Sequence, residues 1–381
     1  MIPRTVFSEE HEAFRATVRR FLAKEVVPFH AQWEQDGKVS REVWLAAGDA
    51  GLLCCNVPEA YGGLGGDFLF SAVVVEEMAR VGATGPGWYL HSDIVAPYLL
   101  NYGTEEMKET WLPRMARGEA IGAIAMTEPV AGSDLQGIAT TARRDGDAYV
   151  INGQKVFITN GQLCDLVLVV CKTNPAAAKG YEGMSIVLVE GDRPGFEKGR
   201  NLDKVGRRAQ DTSELFFADV RVPLSNLLGL AEGQGFVQLM QQLPQERLLQ
   251  AIHGASTIEA ALGWTAEYTR GRRAFGRAIA DFQNTRFKLA EIKTQAVVAR
   301  TFVDRCLELH VKRDLDAVDA AMAKMWVTDL LCSVLDACVQ LHGGYGYMWE
   351  YPIARAWADS RVARIAGGSA EIMREIIGRS V

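Results

Sequence analysis

The apolar pattern of this chain changes its period twice, and this change constrains the fold more than any other feature. Apolar residues recur at helical spacing up to about Gly118, alternate as in strands from about Glu119 to Leu230, and return to helical spacing from Ala231 onward. The 381 residues are enough for two or three domains, each with its own core. The sequence therefore predicts an α+β multidomain protein divided as 1–118, 119–230 and 231–381.

The first region reads as a helical domain. Ser8 provides a capping hydroxyl and Glu9 and Glu10 provide acidic residues for the first turn of a helix that Pro28 ends. Further helical patterns cover about 41–50, 69–80 and 104–116. The glycine-rich stretch 61–66 has no strand before it, so it predicts a surface loop rather than a dinucleotide-binding turn.

The second region predicts a small antiparallel β domain and the third a four-helix bundle. Gly-containing turns at Asp145-Gly146 and Asn152-Gly153 break an alternating run, and Asn-Gly is a strong hairpin signal. Further strands are predicted at about 165–171, 184–190 and 213–222. Strands and helices do not alternate, which disfavours a Rossmann fold, and the long helices that follow are typical of a bundle.

The amino-acid composition limits the kinds of partner and cellular compartment that are expected for this protein. With 48% hydrophobic and 23% charged residues the chain is globular, and a net charge of −6 argues against non-specific nucleic-acid binding. Seven cysteines without metal-ligand spacing predict buried thiols in a reducing compartment and no metal site. With no apolar run long enough to span a membrane and no signal segment, a cytoplasmic protein is expected.

Five motifs resemble those of the acyl-CoA dehydrogenase family. They are "AMTEPVAGSDLQG" at 125–137, "INGQKVFITNG" at 151–161, "GRRAFG" at 271–276, "QLHGGYGYMWEYPIAR" at 340–355 and "GGSAEIMREII" at 367–377. They occur in the family's order across the whole chain, and the third region most resembles the long-chain members. The resemblance implies FAD-dependent α,β-desaturation of an acyl-CoA thioester, with an electron-transfer flavoprotein as acceptor and a homotetramer as assembly.

The resemblance also implies which residues contact FAD. From the first two motifs these are Met126, Thr127, Gly132, Ser133, Phe157, Ile158 and Thr159. Arg272, Gln283, Gln340, Gly343 and Gly344 match residues that reach the FAD of a neighbouring subunit, while Ser369 and Glu371 match FAD contacts near the C-terminus. Ser133 is also expected to touch CoA, and Phe157 stands where many relatives have a tryptophan beside the flavin.

The catalytic base is implied at Glu246. Medium- and short-chain relatives carry their base at the position of Gly367, which has no titratable side chain. Long-chain and isovaleryl relatives place it on a bundle helix just before an arginine, and Glu246-Arg247 matches that arrangement. Glu246 shares a face with Leu243 and Leu249, where a carboxylate is costly unless paired or used.

The remaining site residues follow from the same resemblance. Arg247 is implied to support substrate binding, and Gly367 and Gly368 to form a tight turn beside the thioester. Pro244 is expected to bend the helix that carries Glu246. Two alternatives stay open, a catalytically silent acyl-CoA or flavin-binding scaffold and an oxidase-like variant. Long- or medium-chain linear acyl-CoA is the leading substrate, and a branched thioester stays open.

Overall fold

A computed structural model describes residues 2–381 and begins with a helical region. Its helices are α1 (Glu9–Glu25), α2 (His30–Asp36), α3 (Arg41–Asp49), α4 (Phe68–Val81), α5 (Trp88–Leu90), α6 (Ala96–Tyr102) and α7 (Glu105–Ala116), with a π-helical turn at His91–Val95 between α5 and α6. The Ser8 side chain caps α1, and α1 ends before Pro28 as predicted. Residues 59–61 form a short 3-10 turn, and loop backbone follows through residue 66, in the region where the sequence predicts a surface loop at 61–66.

The middle region is a seven-stranded sheet. Its strands are β1 (Gly122–Ala125), β2 (Thr141–Asp145), β3 (Ala148–Thr159), β4 (Leu166–Lys172), β5 (Met184–Glu190), β6 (Phe196–Asn201) and β7 (Thr212–Pro223). The order is β1-β4-β2-β3-β7-β6, with β5 on β4. Most pairs are antiparallel as predicted, but β4 lies parallel to both β1 and β2, because the intervening strands serve as the long connection that a parallel pair needs.

The two glycine-containing turns have different outcomes. Asp145-Gly146 joins β2 to β3, as predicted. The turn predicted at Asn152-Gly153 is wrong, because β3 runs straight through it, with a register shift between Ile151 and Gly153. A Cβ at Gly153 would lie 2.4 Å from Thr140 Oγ1, so glycine is needed there for close backbone approach in a strand.

The C-terminal region consists of helices α8 (Gly235–Gly271), α9 (Gln283–Val311), α10 (Ala317–His342), α11 (Pro352–Ser360) and α12 (Ala370–Gly378), with a two-stranded ribbon β8 (Arg273–Ala274) and β9 (Arg277–Ala278) between α8 and α9. The three long helices α8, α9 and α10 pack together, and the shorter α11 and α12 complete the bundle against α10. Helix α8 continues through Pro244 without a break.

One continuous core joins the three regions and places the site. Residues of α4 and α6, one face of β4 and β5, and the inner faces of α8, α9 and α10 belong to the same buried cluster. A second cluster lies under α1, α3 and α4, and a third lies on the other face of the sheet. Six of the seven cysteines are buried, and none of the helices in residues 2–381 is apolar and long enough to cross a membrane.

Candidate active site

Glu246 lies on α8, at the interface between this helix and the segment 88–102. The Tyr98 hydroxyl donates a hydrogen bond to Glu246 Oε1 at 3.1 Å, and both side chains are buried. Further contacts between the two elements include the Tyr102 hydroxyl, which donates to Gln241 Oε1 at 2.7 Å and accepts from Gln242 Nε2 at 3.1 Å, and Gln245 Nε2, which donates to the Asp93 carbonyl oxygen at 2.6 Å. The two elements therefore pack side by side, with Glu246 between them.

Burial raises the pKa of Glu246 to about 7, although the Tyr98 hydrogen bond and the nearby charge of Arg247 favour the ionised form. A carboxylate loses hydration energy when it is buried, so burial favours the neutral, protonated form of the side chain. A pKa near neutrality is what a general base needs at neutral pH. Glu246 is thus tuned by its position for accepting a proton.

The turn of Gly367 and Gly368 faces the same side of α8. Their φ angles are +67° and +92°, a left-handed backbone that favours glycine. A Cβ at Gly367 would lie 3.8 Å from Gln250 Cγ, and Gln250 is one helical turn beyond Glu246. The absence of a side chain at Gly367 therefore leaves space beside Gln250, on the face of α8 that also carries Glu246.

Two cations lie beside this turn. Arg247 is 5% exposed, and its Nε has no hydrogen-bond partner among residues 2–381. Lys324 on α10 donates from Nζ to the Gly368 carbonyl oxygen at 2.6 Å. Burial and the charge of Arg247 lower the pKa of Lys324 to about 8. Together they place positive charge beside the glycine turn.

The loop of the first motif is pinned to β3 by a buried ion pair. Lys155 Nζ lies 2.8 Å from Glu128 Oε1 and donates to the Met126 carbonyl oxygen at 2.9 Å. The Val156 N–H donates to the Thr127 carbonyl oxygen at 3.0 Å. Met126 and Thr127 are half-buried beside the end of β3, whereas the Gly132-Ser133 turn that follows is exposed.

A bulge between Lys155 and Ile158 turns Phe157 out of the sheet. Phe157 has a φ of +62° and its side chain is 66% exposed, whereas Ile158 is buried on the other side and Thr159 is half-buried. Strained positive φ at a non-glycine residue is typical of functional sites. The structure thus brings Met126, Thr127, Phe157 and Thr159 to one edge, as the resemblance predicts.

The residues implied to reach a neighbouring subunit form a separate exposed group. Arg272, Gln283, Gln340, Gly343 and Gly344 are all exposed. The Arg272 guanidinium lies 5.7 Å from the centre of the Tyr345 ring, and the Tyr268 hydroxyl donates to the His342 carbonyl oxygen at 3.0 Å. These contacts tie the end of α8 to the turn after α10, so the group shares one surface.

Ser369 and Glu371 lie at the start of α12. The Ser369 hydroxyl caps the helix by accepting from the Ile372 N–H at 3.4 Å. Glu371 is exposed, and backbone and Ser369 hydrogen bonds lower the pKa of its carboxyl. An exposed carboxylate with a lowered pKa is a poor base, which sets Glu371 apart from Glu246.

The side chains present suit a flavin. Phe157 offers an uncovered aromatic face, the Thr127, Ser133 and Thr159 hydroxyls offer hydrogen bonds, and Arg272 offers a planar donor pair for a pyrophosphate. An added Cβ at Gly343 or Gly344 would meet no atom within 4 Å, so backbone there is open to a ligand. Among residues 2–381 no group of three acidic, histidine or cysteine side chains is arranged to hold a metal ion.

Sequence reasoning missed several residues of this site. Tyr98, Gln250 and Lys324 belong to ordinary helical stretches, and nothing in their spacing marks them. Each reaches the site through a contact with a residue far away in the chain. Only a prediction of which helices pack together would have found them.

Three family descriptions match consecutive parts of the chain: "Acyl-CoA dehydrogenase, N-terminal domain" at residues 8–119, "Acyl-CoA dehydrogenase, middle domain" at 123–220 and "Acyl-CoA dehydrogenase, C-terminal domain" at 233–381. The mitochondrial long-chain specific acyl-CoA dehydrogenase of Rattus norvegicus is 54% identical over 378 residues, covering 99% of this chain and 88% of its own.

Solved structures agree. An acyl-CoA dehydrogenase from Geobacillus kaustophilus superposes with a TM-score of 0.97 at 49% identity, covering 99% of both chains. A glutaryl-CoA dehydrogenase from Mycobacterium smegmatis in complex with FADH2 superposes with a TM-score of 0.90 at 27% identity, covering 98% of this chain and 95% of its own.

Fold and site together define a flavin-dependent oxidoreductase. The chain belongs to the acyl-CoA dehydrogenase family. Its cofactor is FAD, and its activity is the dehydrogenation of an acyl-CoA.

Proposed function

We propose that Glu246 is the base that removes the α-proton of a long- or medium-chain acyl-CoA in this reaction. The observation that supports this most is its buried carboxyl, whose pKa is raised to about 7 and which lies one helical turn from Gln250, the neighbour of Gly367. When bound, FAD supplies the hydride acceptor for the β-hydrogen of the substrate. The 54% identity to a long-chain specific relative supports the chain-length class.

The other site residues orient the thioester. The backbone N–H groups of Gly367 and Gly368 donate to no acceptor within residues 2–381, so they are free to bind the thioester oxygen as it gains negative charge. Arg247 and Lys324 add positive charge next to that turn. Tyr98 holds the Glu246 carboxylate in place and, because Tyr98 is fully buried, helps keep water away from it.

The FAD contacts are proposed as the resemblance gives them. Met126, Thr127, Phe157 and Thr159 form the flavin edge, Ile158 contributes its backbone, and the exposed turn of Gly132 and Ser133 meets the phosphates and CoA. Ser369 and Glu371 contribute from the start of α12. The exposed group around Arg272 completes the FAD site of a second subunit, which favours a homotetramer.

The cellular context and the domain limits belong to the same proposal. We place the domain boundaries at 118/119 and 230/231, since helices give way to strands between Ala116 and Gly122 and strands to helices between Pro223 and Gly235. An electron-transfer flavoprotein is the proposed electron acceptor and the cytoplasm the proposed location. Fatty-acid β-oxidation is the pathway that this chemistry serves.

Anaerobic titration of the purified yellow protein with acyl-CoAs of increasing chain length tests the proposal. Bleaching of the flavin absorbance by long- or medium-chain substrates is the expected result. Retained FAD without bleaching at any length would instead identify a silent scaffold. Rapid oxygen consumption without any other acceptor would identify an oxidase.

A further inference from the structure

Beyond Gln250, two small adjoining cavities lie beside α8. Thr84, Arg207 and His253 line both of them. Much of the remaining lining is apolar, and it includes Val75, Met78, Trp264 and Leu331. Apolar cavities with a few convergent polar groups are typical of small-molecule sites.

Arg207 brings an unsatisfied positive charge to these cavities. The residue is 8% exposed, and its Nη1 donates to the Tyr89 hydroxyl at 2.9 Å. Its Nε is buried and has no partner among residues 2–381. A guanidinium keeps its charge at any ordinary pH, and a buried charge without a partner is costly. The free Nε therefore indicates a missing acceptor.

The contrast with other buried arginines sharpens this point. Arg15 and Arg300 each form an ion pair with Glu76, at 2.7 Å and 2.9 Å. Arg207 and Arg247 are equally buried but form no ion pair with any carboxylate of residues 2–381. Arg247 lies beside the base, where a thioester binds. The second unpaired guanidinium lies in the cavity.

Asp359 and Arg355, the other two charged residues that line the larger cavity, already have hydrogen-bond partners for their charged groups. Asp359 lines the larger cavity, but one of its oxygens accepts from the Thr84 hydroxyl at 2.8 Å and the other from the Arg207 backbone N–H. Burial and the charge of Arg207 lower the pKa of His253 to about 3, so it is neutral. Arg355 donates to the Trp349 and Glu350 carbonyl oxygens.

The cavities lie along the same face of α8 as Glu246, since His253 and Thr257 line the larger one. The Tyr89 hydroxyl accepts from Arg207 Nη1 at 2.9 Å and lies near the Gln250 side chain, one turn beyond Glu246. His253 is seven residues beyond Glu246, or about 10 Å along the helix axis. An acyl chain that followed this face of α8 from Glu246 would therefore approach the Arg207 side chain.

The direction in which a bound acyl chain runs follows from the contacts at the N-terminal end of α8. The loop that carries Ser133 packs against residues 180–181, since a Cβ at Gly180 would lie 3.3 Å from Gln136 Cβ. Residues 180–181 in turn pack against the start of α8, where the Tyr181 ring lies 5.5 Å from the Phe236 ring. A CoA held at Ser133 thus lies toward the start of α8. The far end of its acyl chain points the other way, toward Arg207.

We propose that Arg207 binds the terminal carboxylate of an ω-carboxyacyl-CoA, the CoA thioester of a dicarboxylic acid. The inference rests on the proposed function, because it takes Glu246 as the point where the α-carbon lies. An extended chain advances about 1.2 Å per bond, so an acyl chain of about ten carbons covers the roughly 10 Å of helix axis between Glu246 and His253, which lines the cavities together with Arg207. The free Nε edge of Arg207 suits a carboxylate acceptor.

The test compares each ω-carboxyacyl-CoA with the plain acyl-CoA of the same length, in the FAD-loaded protein. The kcat/KM of flavin reduction is expected to favour the ω-carboxy substrate near the matching length. Arg207→Met should lower that kcat/KM by about 10- to 100-fold, the range for losing a charged hydrogen bond, and leave the plain substrate unchanged or better. Arg208→Met is the matched control, since Arg208 is exposed and stacks on Trp349 at 4.3 Å.

Binding is measured separately from turnover. Affinity for both substrate types is titrated in FAD-loaded Glu246→Gln protein, with and without Arg207→Met; Tyr89→Phe serves as a milder second variant if Arg207→Met folds poorly. A preference for ω-carboxy substrates that neither variant reduces would overturn the assignment to Arg207. Equal activity on both substrate types would overturn the inference and leave the proposed function intact, whereas failure of every acyl-CoA to bleach the flavin would overturn the proposed function itself.

Discussion

The Tyr98 hydroxyl and the Glu246 carboxylate are joined by a hydrogen bond of 3.1 Å across 148 residues of sequence. The bond lies where the segment 88–102 meets α8, in the core that joins the N-terminal and C-terminal helices. Burial by itself would push the pKa of Glu246 upward, and this bond moderates the rise. The contact therefore couples the packing of two regions to the chemistry of the base.

Replacement of Glu246 by glutamine should abolish flavin reduction while FAD is retained. The amide has nearly the same shape but cannot accept the α-proton, so the rate should fall by at least about 100-fold. Stopped-flow measurement of flavin bleaching checks this. Glu375→Gln, which changes an exposed carboxylate further along α12, should keep the rate of flavin reduction. A large loss in that control together with an active Glu246→Gln variant would move the base elsewhere.

The pH dependence of flavin reduction should follow Glu246. Because its pKa is about 7 and the ionised form is the base, the rate should rise as the pH increases through 7 and be lost below it. Tyr98→Phe removes a hydrogen bond that favours the ionised form, so the apparent pKa should move upward by up to about one unit. Tyr102→Phe is the control, since its hydroxyl bonds to Gln241 and Gln242 instead. An unchanged profile in the Tyr98 variant would contradict this role.

Gly367→Ala should lower the stability of the protein by about 1–2 kcal/mol. The cost comes from the backbone, because φ is +67° and an L side chain disfavours that region. The nearest atom to an added Cβ, Gln250 Cγ at 3.8 Å, is in ordinary contact and does not clash. Thermal unfolding measures the difference. Gly263→Ala, in the middle of α8 with open space around it, should instead stabilise the helix by up to about 1 kcal/mol.

The Glu76 carboxylate should account for part of the acid lability of the protein. Burial opposes its charge, but Arg300, Arg4 and Arg15 surround it and lower its pKa to about 2. A carboxyl with a lowered pKa in the folded state contributes stability above its unfolded pKa of about 4.3, and this contribution is lost as the pH falls toward 2.

Glu76→Gln should therefore destabilise the protein by about 3–5 kcal/mol at neutral pH, because it leaves buried arginines without their partner. Its unfolding midpoint should also depend less on pH between 4.3 and 2 than that of the wild type. Chemical denaturation at several pH values measures both effects. Glu350→Gln, at an exposed position, should behave like the wild type; equal losses in the two variants would rule out the network as the cause.

Local sequence patterns predicted most elements but not all pairings. The helical starts at Ser8 and in α4 and α7 followed from capping and apolar period, because these depend only on neighbouring residues. Asn152-Gly153 carries a hairpin signal but lies inside β3, because pairing with β7 outweighed the local preference. Strands β1 and β6 were missed, since they are short and one of them pairs in parallel.

The sequence alone determined the order of the helical, β and helical regions and the family motifs. It also showed that position 367 has no acidic side chain, whereas position 246 has one. The tertiary structure alone decided that Glu246 is buried against Tyr98, that Gln250 faces the glycine turn, and that Arg207 Nε has no hydrogen-bond partner among residues 2–381. Periodicity and motifs depend on residues close together in the chain. Burial and charge pairing depend on which distant segments pack together, and these set the pKa of a base and the need of a guanidinium for an acceptor.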